Sequence, residues 1–160
     1  MAKKKDGLSL QINDRDLRGL LASFSKMDDI AKEDMKKIAA NIASKTAAAV
    51  IQAARSAPNP KQATAVASSI EVVTTSKDPS LKVIRKDVVT SSGARSGELF
   101  TGSEFGSTNF KQFPSRSPKF GRGNEGYWLY KTLRERQPTM LKEWLDGYKL
   151  IRDAWVKRVS

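Results

Sequence analysis

The 160-residue chain contains no cysteine and no histidine. The lack of cysteine excludes disulfides, thiolate metal sites, iron–sulfur clusters and a cysteine nucleophile. The lack of histidine removes the usual general base, the Ser-His-Asp arrangement and the commonest metal ligand. Most familiar enzyme classes are therefore excluded. We expect a protein that is not an enzyme and that binds no cofactor and no metal.

Long apolar runs are also missing. The longest aliphatic run, from Ala47 to Ile51, is far too short to span a bilayer, so we expect no membrane partner. Residues 1–7 are basic, but no apolar stretch follows them, so they do not form a signal peptide. We expect a flexible basic N-terminus in which Lys3-Lys4-Lys5 either keep the chain soluble or touch nucleic acid or a partner.

Positive charge, in contrast, is abundant. The chain carries 29 lysine and arginine residues against 17 aspartate and glutamate residues, a formal net charge of +12. Such an excess favours a polyanionic or acidic neighbour. The length and the 39% content of hydrophobic residues predict a single domain over residues 1–160, large enough to bury its own core.

Helical spacing of apolar residues dominates the first third of the chain. It predicts a short helix over residues 14–24 and a long alanine-rich helix over residues 27–55, roughly 40 Å in length. Ser25, with Asp28 three residues further on, predicts the N-cap of this helix, and Pro58 stops it. A further short helix is predicted over residues 62–69.

The second half alternates between strand-like and helical patterns. β-Branched runs at residues 70–75 and 81–86 predict an antiparallel hairpin, and residues 99–104 a weaker third strand. Apolar residues then recur at three and four between residues 138 and 158, with Pro138 in the first turn of a helix. The fold class is therefore α+β. A long N-terminal helix and a C-terminal amphipathic helix pack on a small antiparallel β-sheet as one core, beside a long Gly/Phe-rich loop.

Most of the glycines and phenylalanines fall within residues 91–126. Within this region we predict an extended assembly loop over residues 105–126, because its phenylalanines need burial that neighbouring glycines, prolines and serines do not provide inside one subunit. The predicted interface residues are Phe105, Phe110, Phe113, Arg116, Lys119 and Phe120. Cations interleaved with aromatic rings also suit single-stranded nucleic acid, and packing within the chain is a third interpretation.

Three short patterns favour a structural interpretation over a chemical one. Residues 121–126 match the G-x-G-x-x-G of dinucleotide sites but follow no strand. Residues 23–26 match S-x-x-K without the companion motifs of penicillin-binding enzymes. The acidic residues between positions 28 and 34 are typical of a helix N-terminus.

The layout resembles the neck and tail-completion family of long-tailed bacteriophages, which includes head–tail connector and tail-terminator-like proteins. The residues that carry the resemblance are Thr64, Ser69 and Ile70 before the hairpin and Glu104-Phe105-Gly106-Ser107 after it. The resemblance spans residues 27–155. The usual Thr-Gly turn of the family is Thr64-Ala65 here, and its Pro-Phe before the last helix is replaced by Gly126-Tyr127. Tail completion, tail terminator and another connector ring therefore all stay open.

The resemblance implies a structural virion protein of the tail or neck, assembled in the host cytoplasm, without catalysis or cofactor. Identical subunits would form a ring, six-fold in this family, around the DNA channel at the head–tail junction. One face would bind the tail tube protein and the other the head–tail connector or stopper protein, with room for non-specific contact with DNA. The alternative is a free basic nucleic-acid-binding protein that uses the cationic, Phe-rich loop, and salt dependence separates the two.

Overall fold

A computed structural model describes Ala22 and residues 25–73, 80–84, 88–117 and 121–160. The predicted basic N-terminus and, apart from Ala22, the part of the predicted helix that precedes residue 25 lie outside the described residues. The described elements combine helices with two small antiparallel sheets, which confirms the α+β fold class.

The first element whose bounds the structure describes is the long helix α1, Asp29–Arg55. Its N-cap is Asp28 and not the predicted Ser25: the Asp28 side chain accepts a hydrogen bond from the Ala31 N–H at 2.8 Å, whereas the Ser25 hydroxyl donates to the Ala22 carbonyl. Its alanine-rich sequence has high helix propensity, and Pro58 follows its C-terminus. The predicted helix over residues 27–55 is confirmed.

A short helix and a hairpin follow α1. Helix α2 covers Pro60–Ala67, and strand β1, Glu71–Val73, pairs antiparallel with β2, Ser80–Lys82. The predicted helix and hairpin are confirmed, although both strands are shorter than the β-branched runs that indicated them.

Helix α3, Ser96–Phe105, replaces the strand that was predicted at residues 99–104. That prediction is wrong because the buried positions repeat with the helical period: Leu99 and Ser103 are both buried and lie one turn apart. The N-terminus of the helix is also capped, because the Glu98 side chain accepts a hydrogen bond from the Arg95 N–H at 2.9 Å.

Short regular elements interrupt the region that was predicted as an extended loop. Strand β3, Arg116–Ser117, pairs antiparallel with β4, Gly121–Arg122, and a single 3-10 turn, Gly123–Glu125, follows. The part of the assembly loop that the structure describes is therefore folded back on itself rather than extended.

The C-terminal helix α4 runs from Leu129 to Val159, with Pro138 inside it. The predicted start at Pro138 is wrong. Backbone N–H groups at residues 128–130, where the helix begins, are bound by the side chain of Glu104, so the helix already exists where the proline occurs. Pro138 is exposed, and the helix continues past it.

Buried side chains form two clusters along α1 rather than the expected single core. The first gathers Val50 and Ala54 of α1 with α2, α3 and Trp128, and the hairpin packs against it. The second joins the beginning of α1 to Tyr148 on α4, where Trp144 stacks on the Tyr148 ring with centroids 5.9 Å apart. The sheet thus packs near the C-terminal end of α1, and Tyr148 of α4 packs near its N-terminal end.

Candidate assembly loop and its Glu104 anchor

Glu104, at the end of α3, is fully buried and binds the beginning of α4. Its Oε2 accepts the N–H groups of Trp128 at 3.2 Å and Leu129 at 2.9 Å, and its Oε1 accepts that of Tyr130 at 2.8 Å. Its own backbone oxygen accepts the Tyr127 N–H at 2.8 Å. One residue therefore satisfies four consecutive backbone donors, three of them at a helix N-terminus, where negative charge is favourable.

Burial raises the pKa of the Glu104 carboxyl, and the three backbone N–H bonds oppose that rise. The space around the carboxylate is full. Gly126 has a φ of 84°, and a Cβ on this residue would overlap Glu104 Oε1. Only glycine combines this backbone conformation with this close approach.

The phenylalanines of the assembly loop divide into inward and outward groups. Phe113 is buried, and its ring lies over Gly102 of α3 in the first core cluster. Phe105 is half-buried, with its centroid 5.6 Å from that of Tyr130 and 6.5 Å from that of Phe100. Phe110 is 60% exposed. The expectation that the loop rings lack burial within the subunit is therefore wrong for Phe113 and holds for Phe110.

Hydrogen bonds fix the turn that carries Phe110. The Ser107 hydroxyl accepts the N–H groups of Asn109 and Phe110, at 3.1 and 3.3 Å. The Ser107 N–H donates to the Phe113 carbonyl at 2.8 Å, which closes the turn at its base. The Tyr127 hydroxyl holds the next residue by donating to the Pro114 carbonyl, also at 2.8 Å. Phe110 therefore projects from a closed turn whose base is locked by the buried Phe113.

The cationic residues of the loop are spread over its surface. Arg116 is exposed and lies directly opposite Arg122 in the β3–β4 register, so two guanidinium groups share one short ladder. Like charges directly opposite each other destabilise a sheet unless an anion compensates them. Lys119 and Phe120 lie outside the described residues.

Among the residues that carry the family resemblance, Ser69 and Glu104 have structural partners that the sequence alone did not predict. The Ser69 hydroxyl is buried and accepts the Ile84 N–H at 3.0 Å, which links the end of α2 to the segment after the hairpin. Thr64 is exposed on α2. The only sequence signal for the Glu104 anchor is a glutamate directly before Phe-Gly, and nothing local indicates partners 24 to 26 residues away.

The weaker motifs take structural positions. Asp29, Glu33 and Asp34 at the start of α1 each pair with a lysine three residues further on. The glycine pattern at 121–126 forms β4 and the 3-10 turn, not the start of a helix. Nowhere in the described ranges do three potential metal-binding side chains gather. No helix within the same ranges is long and apolar enough to cross a membrane.

Comparison with known proteins adds no relative to this picture. No family model, no curated protein and no solved structure matches the chain.

Proposed function

We propose that the chain is a structural subunit of a phage virion that forms a ring at the head–tail junction and joins the tail tube to the head connector around the DNA channel. The observation that carries the proposal is Phe110, a large apolar ring held 60% exposed on a closed turn. Leaving such a ring in water instead of burying it costs about 1.5–3 kcal/mol. A partner surface that covers it recovers this energy.

The anchoring of the turn supports an assembly role. Glu104-Phe105-Gly106, one of the segments that carry the phage resemblance, holds the loop base against α4 through Glu104. The ring of Phe110 is thus presented by a fixed frame, and a prearranged anchor loses little conformational freedom on binding. Buried aromatic anchors surrounded by polar residues are typical of the centre of protein interfaces.

A closed ring of identical subunits uses heterologous contacts, in which each subunit presents two different surfaces to its neighbours. Phe110 is the anchor of one surface, with the exposed residues beside it on the turn, Asn109 and Lys111, as its polar rim. Six subunits, a tail tube on one face and a connector or stopper protein on the other follow from the resemblance.

The test compares Phe110→Ser with Leu150→Ser. Leu150 is 73% exposed on α4, so its replacement removes a similarly exposed apolar side chain away from the loop. We expect both variants to melt like the wild type. We expect Phe110→Ser alone to lose the ring in native mass spectrometry and to yield heads and tails that do not join. Normal rings and particles with Phe110→Ser would overturn the proposal.

A second candidate is favoured by the facing pair Arg116 and Arg122: a free nucleic-acid-binding protein that uses the cationic loop. Replacing both arginines by glutamine would then abolish most DNA binding, with affinity falling steeply as salt rises. Under the ring proposal the same variant still assembles, because the apolar contact at Phe110 depends little on salt.

A further inference from the structure

An open groove of about 950 Å³ lies between α2 and the segment formed by residues 88–94. Its lining includes the cations Arg55 and Lys61 and a series of hydroxyl and amide side chains, among them Gln62, Thr64, Thr90 and Ser92. No carboxylate and no aromatic ring belongs to this lining, which consists of described residues. Gln112, which lies between Phe110 and Phe113 in the assembly loop, also lines the groove.

We propose that this groove binds the phosphate backbone of duplex DNA, independently of base sequence. Arginine, lysine, serine, threonine and glutamine side chains supply most protein contacts to DNA phosphates and sugars, and these are the polar residues that line the groove. The volume lies at the upper end of the range for ligand pockets, which suits a stretch of backbone better than a single phosphate ion. Because the lining lacks aromatic rings, it does not offer the stacking platform that single strands use.

Both walls of the groove are prearranged. Arg55 ends α1, and Lys61 and Thr64 stand on α2. On the opposite wall the Gly93 N–H donates to the Thr90 carbonyl at 2.9 Å, and the hydroxyls of Thr90 and Ser92 lie 2.9 Å apart. The backbone of both walls is therefore in place before a phosphate approaches, so the ordering cost of binding falls mainly on the side chains.

The decisive variant is Arg55→Gln with Lys61→Gln, which lowers the net charge by two. The matched control is Lys149→Gln with Lys157→Gln, which removes the same charge from α4. Tyr148, next to Lys149, packs with Met27 and Met35 at the beginning of α1, the end opposite Arg55. Both pairs are exposed, so we expect both variants to keep the wild-type melting temperature.

Binding is measured by fluorescence anisotropy with a random-sequence duplex over a salt series of about 50 to 200 mM. The slope of log K against log salt is negative, and each lost phosphate contact makes it shallower by about 0.9. The groove variant should therefore have a slope shallower by about 1.8, while the control should keep the wild-type slope. Thr64→Val with Ser68→Ala should weaken binding without changing the slope, because hydroxyls release no counterions.

Equal slopes in the groove variant and the control would overturn the proposal, since net charge alone would then explain binding. The same anisotropy measurement is made with poly-glutamate. If the groove variant lost binding to poly-glutamate but kept binding to DNA, the proposal would be overturned and the groove would be assigned to an acidic protein. Tighter binding of a single strand than of the duplex would exclude the backbone mode. None of these results touches ring formation, which Phe110→Ser tests separately, so failure of one proposal is distinguishable from failure of the other.

Discussion

The strongest test of the fold concerns the carboxylate of Glu104. Replacing Glu104 by alanine removes the acceptor of three backbone N–H groups, those of Trp128, Leu129 and Tyr130, at the buried start of α4. Replacing it by glutamine keeps the side-chain volume and one acceptor oxygen. The two variants therefore separate the loss of all three hydrogen bonds from the loss of one.

The expected sizes follow from this count of donors. A buried donor without a partner costs about 1–3 kcal/mol, so three such donors cost about 3–9 kcal/mol. Loss of a charge that burial disfavours, and entry of water into the space left behind, offset part of this sum. We expect Glu104→Ala to lower the free energy of unfolding by about 3–5 kcal/mol, a large part of the 5–15 kcal/mol typical of a domain. In Glu104→Gln the oxygen that faces Trp128 and Leu129 remains and only the Tyr130 N–H loses its acceptor, which costs about 1–3 kcal/mol.

Equilibrium unfolding in urea measures these free energies, and amide hydrogen exchange at residues 128–130 reports on the helix start directly. Glu98→Ala is the control, because it removes an exposed glutamate from the same helix together with one hydrogen bond, to the Arg95 N–H, and should cost about 1 kcal/mol or less. Glu104→Ala with stability within about 0.5 kcal/mol of the wild type would refute the anchor. So would unchanged exchange at residues 128–130.

Three further predictions concern pH and packing. Because the pKa of Glu104 is raised, the folded protein binds this proton more tightly than the unfolded chain, and the resulting stability is lost as the pH rises through the folded pKa. The excess stability of the wild type over Glu104→Gln should thus fall above about pH 4.5, and a rise measured by urea unfolding would contradict this. Gly147→Val should lower the melting temperature, because its Cβ would lie 2.5 Å from Cδ1 and 3.0 Å from Cγ2 of Ile38, so that the whole Ile38 side chain and not only its flexible end would have to move. Leu150→Ala, at an exposed position of the same helix, should leave the melting temperature unchanged. Phe113→Ser should cost about 3–5 kcal/mol and Phe110→Ser under about 1 kcal/mol in thermal unfolding, and equal costs would refute the division between inward and outward rings.

Elements whose start and stop signals lie beside them in sequence could be predicted. Helix α1 has acidic residues at its start and a proline after its end, and these local signals gave its bounds even though its cap is Asp28 and not the predicted Ser25. The hairpin could be predicted because the two-residue period of its side chains is visible within each strand. Helix α4 was predicted to start too late because its cap comes from Glu104, more than 20 residues away, and Pro138 offered a local signal that tertiary contacts override.

The phenylalanines of the loop show why the candidate site could be predicted only in part. Composition marks Phe110 and Phe113 alike, as apolar rings among loop-forming residues. Which of them turns inward depends on the space over Gly102, on another element, where any side chain would collide with the Phe113 ring. The sequence of the loop alone therefore cannot predict which phenylalanine is buried.

The Glu104 carboxylate also explains how one chain can combine a fixed frame, formed by α3 and α4, with the loop that carries Phe110. The loop leaves the frame at Gly106 and returns at Gly126. Glu104, two residues before the loop begins, is bonded through its backbone to Tyr127, directly after the loop ends, and through its side chain to the start of α4. The two ends of the loop are therefore joined whatever sequence lies between them, and lengthening a closed loop costs little, about 0.6 kcal/mol for each doubling. Residues between 107 and 112 can accordingly change to fit a partner without loosening α3 from α4, provided that Phe113 keeps its place over Gly102. A surface that must match a neighbouring protein, attached to a core that must not move, requires this separation, and here the buried Glu104 and the Phe113 ring over Gly102 provide it.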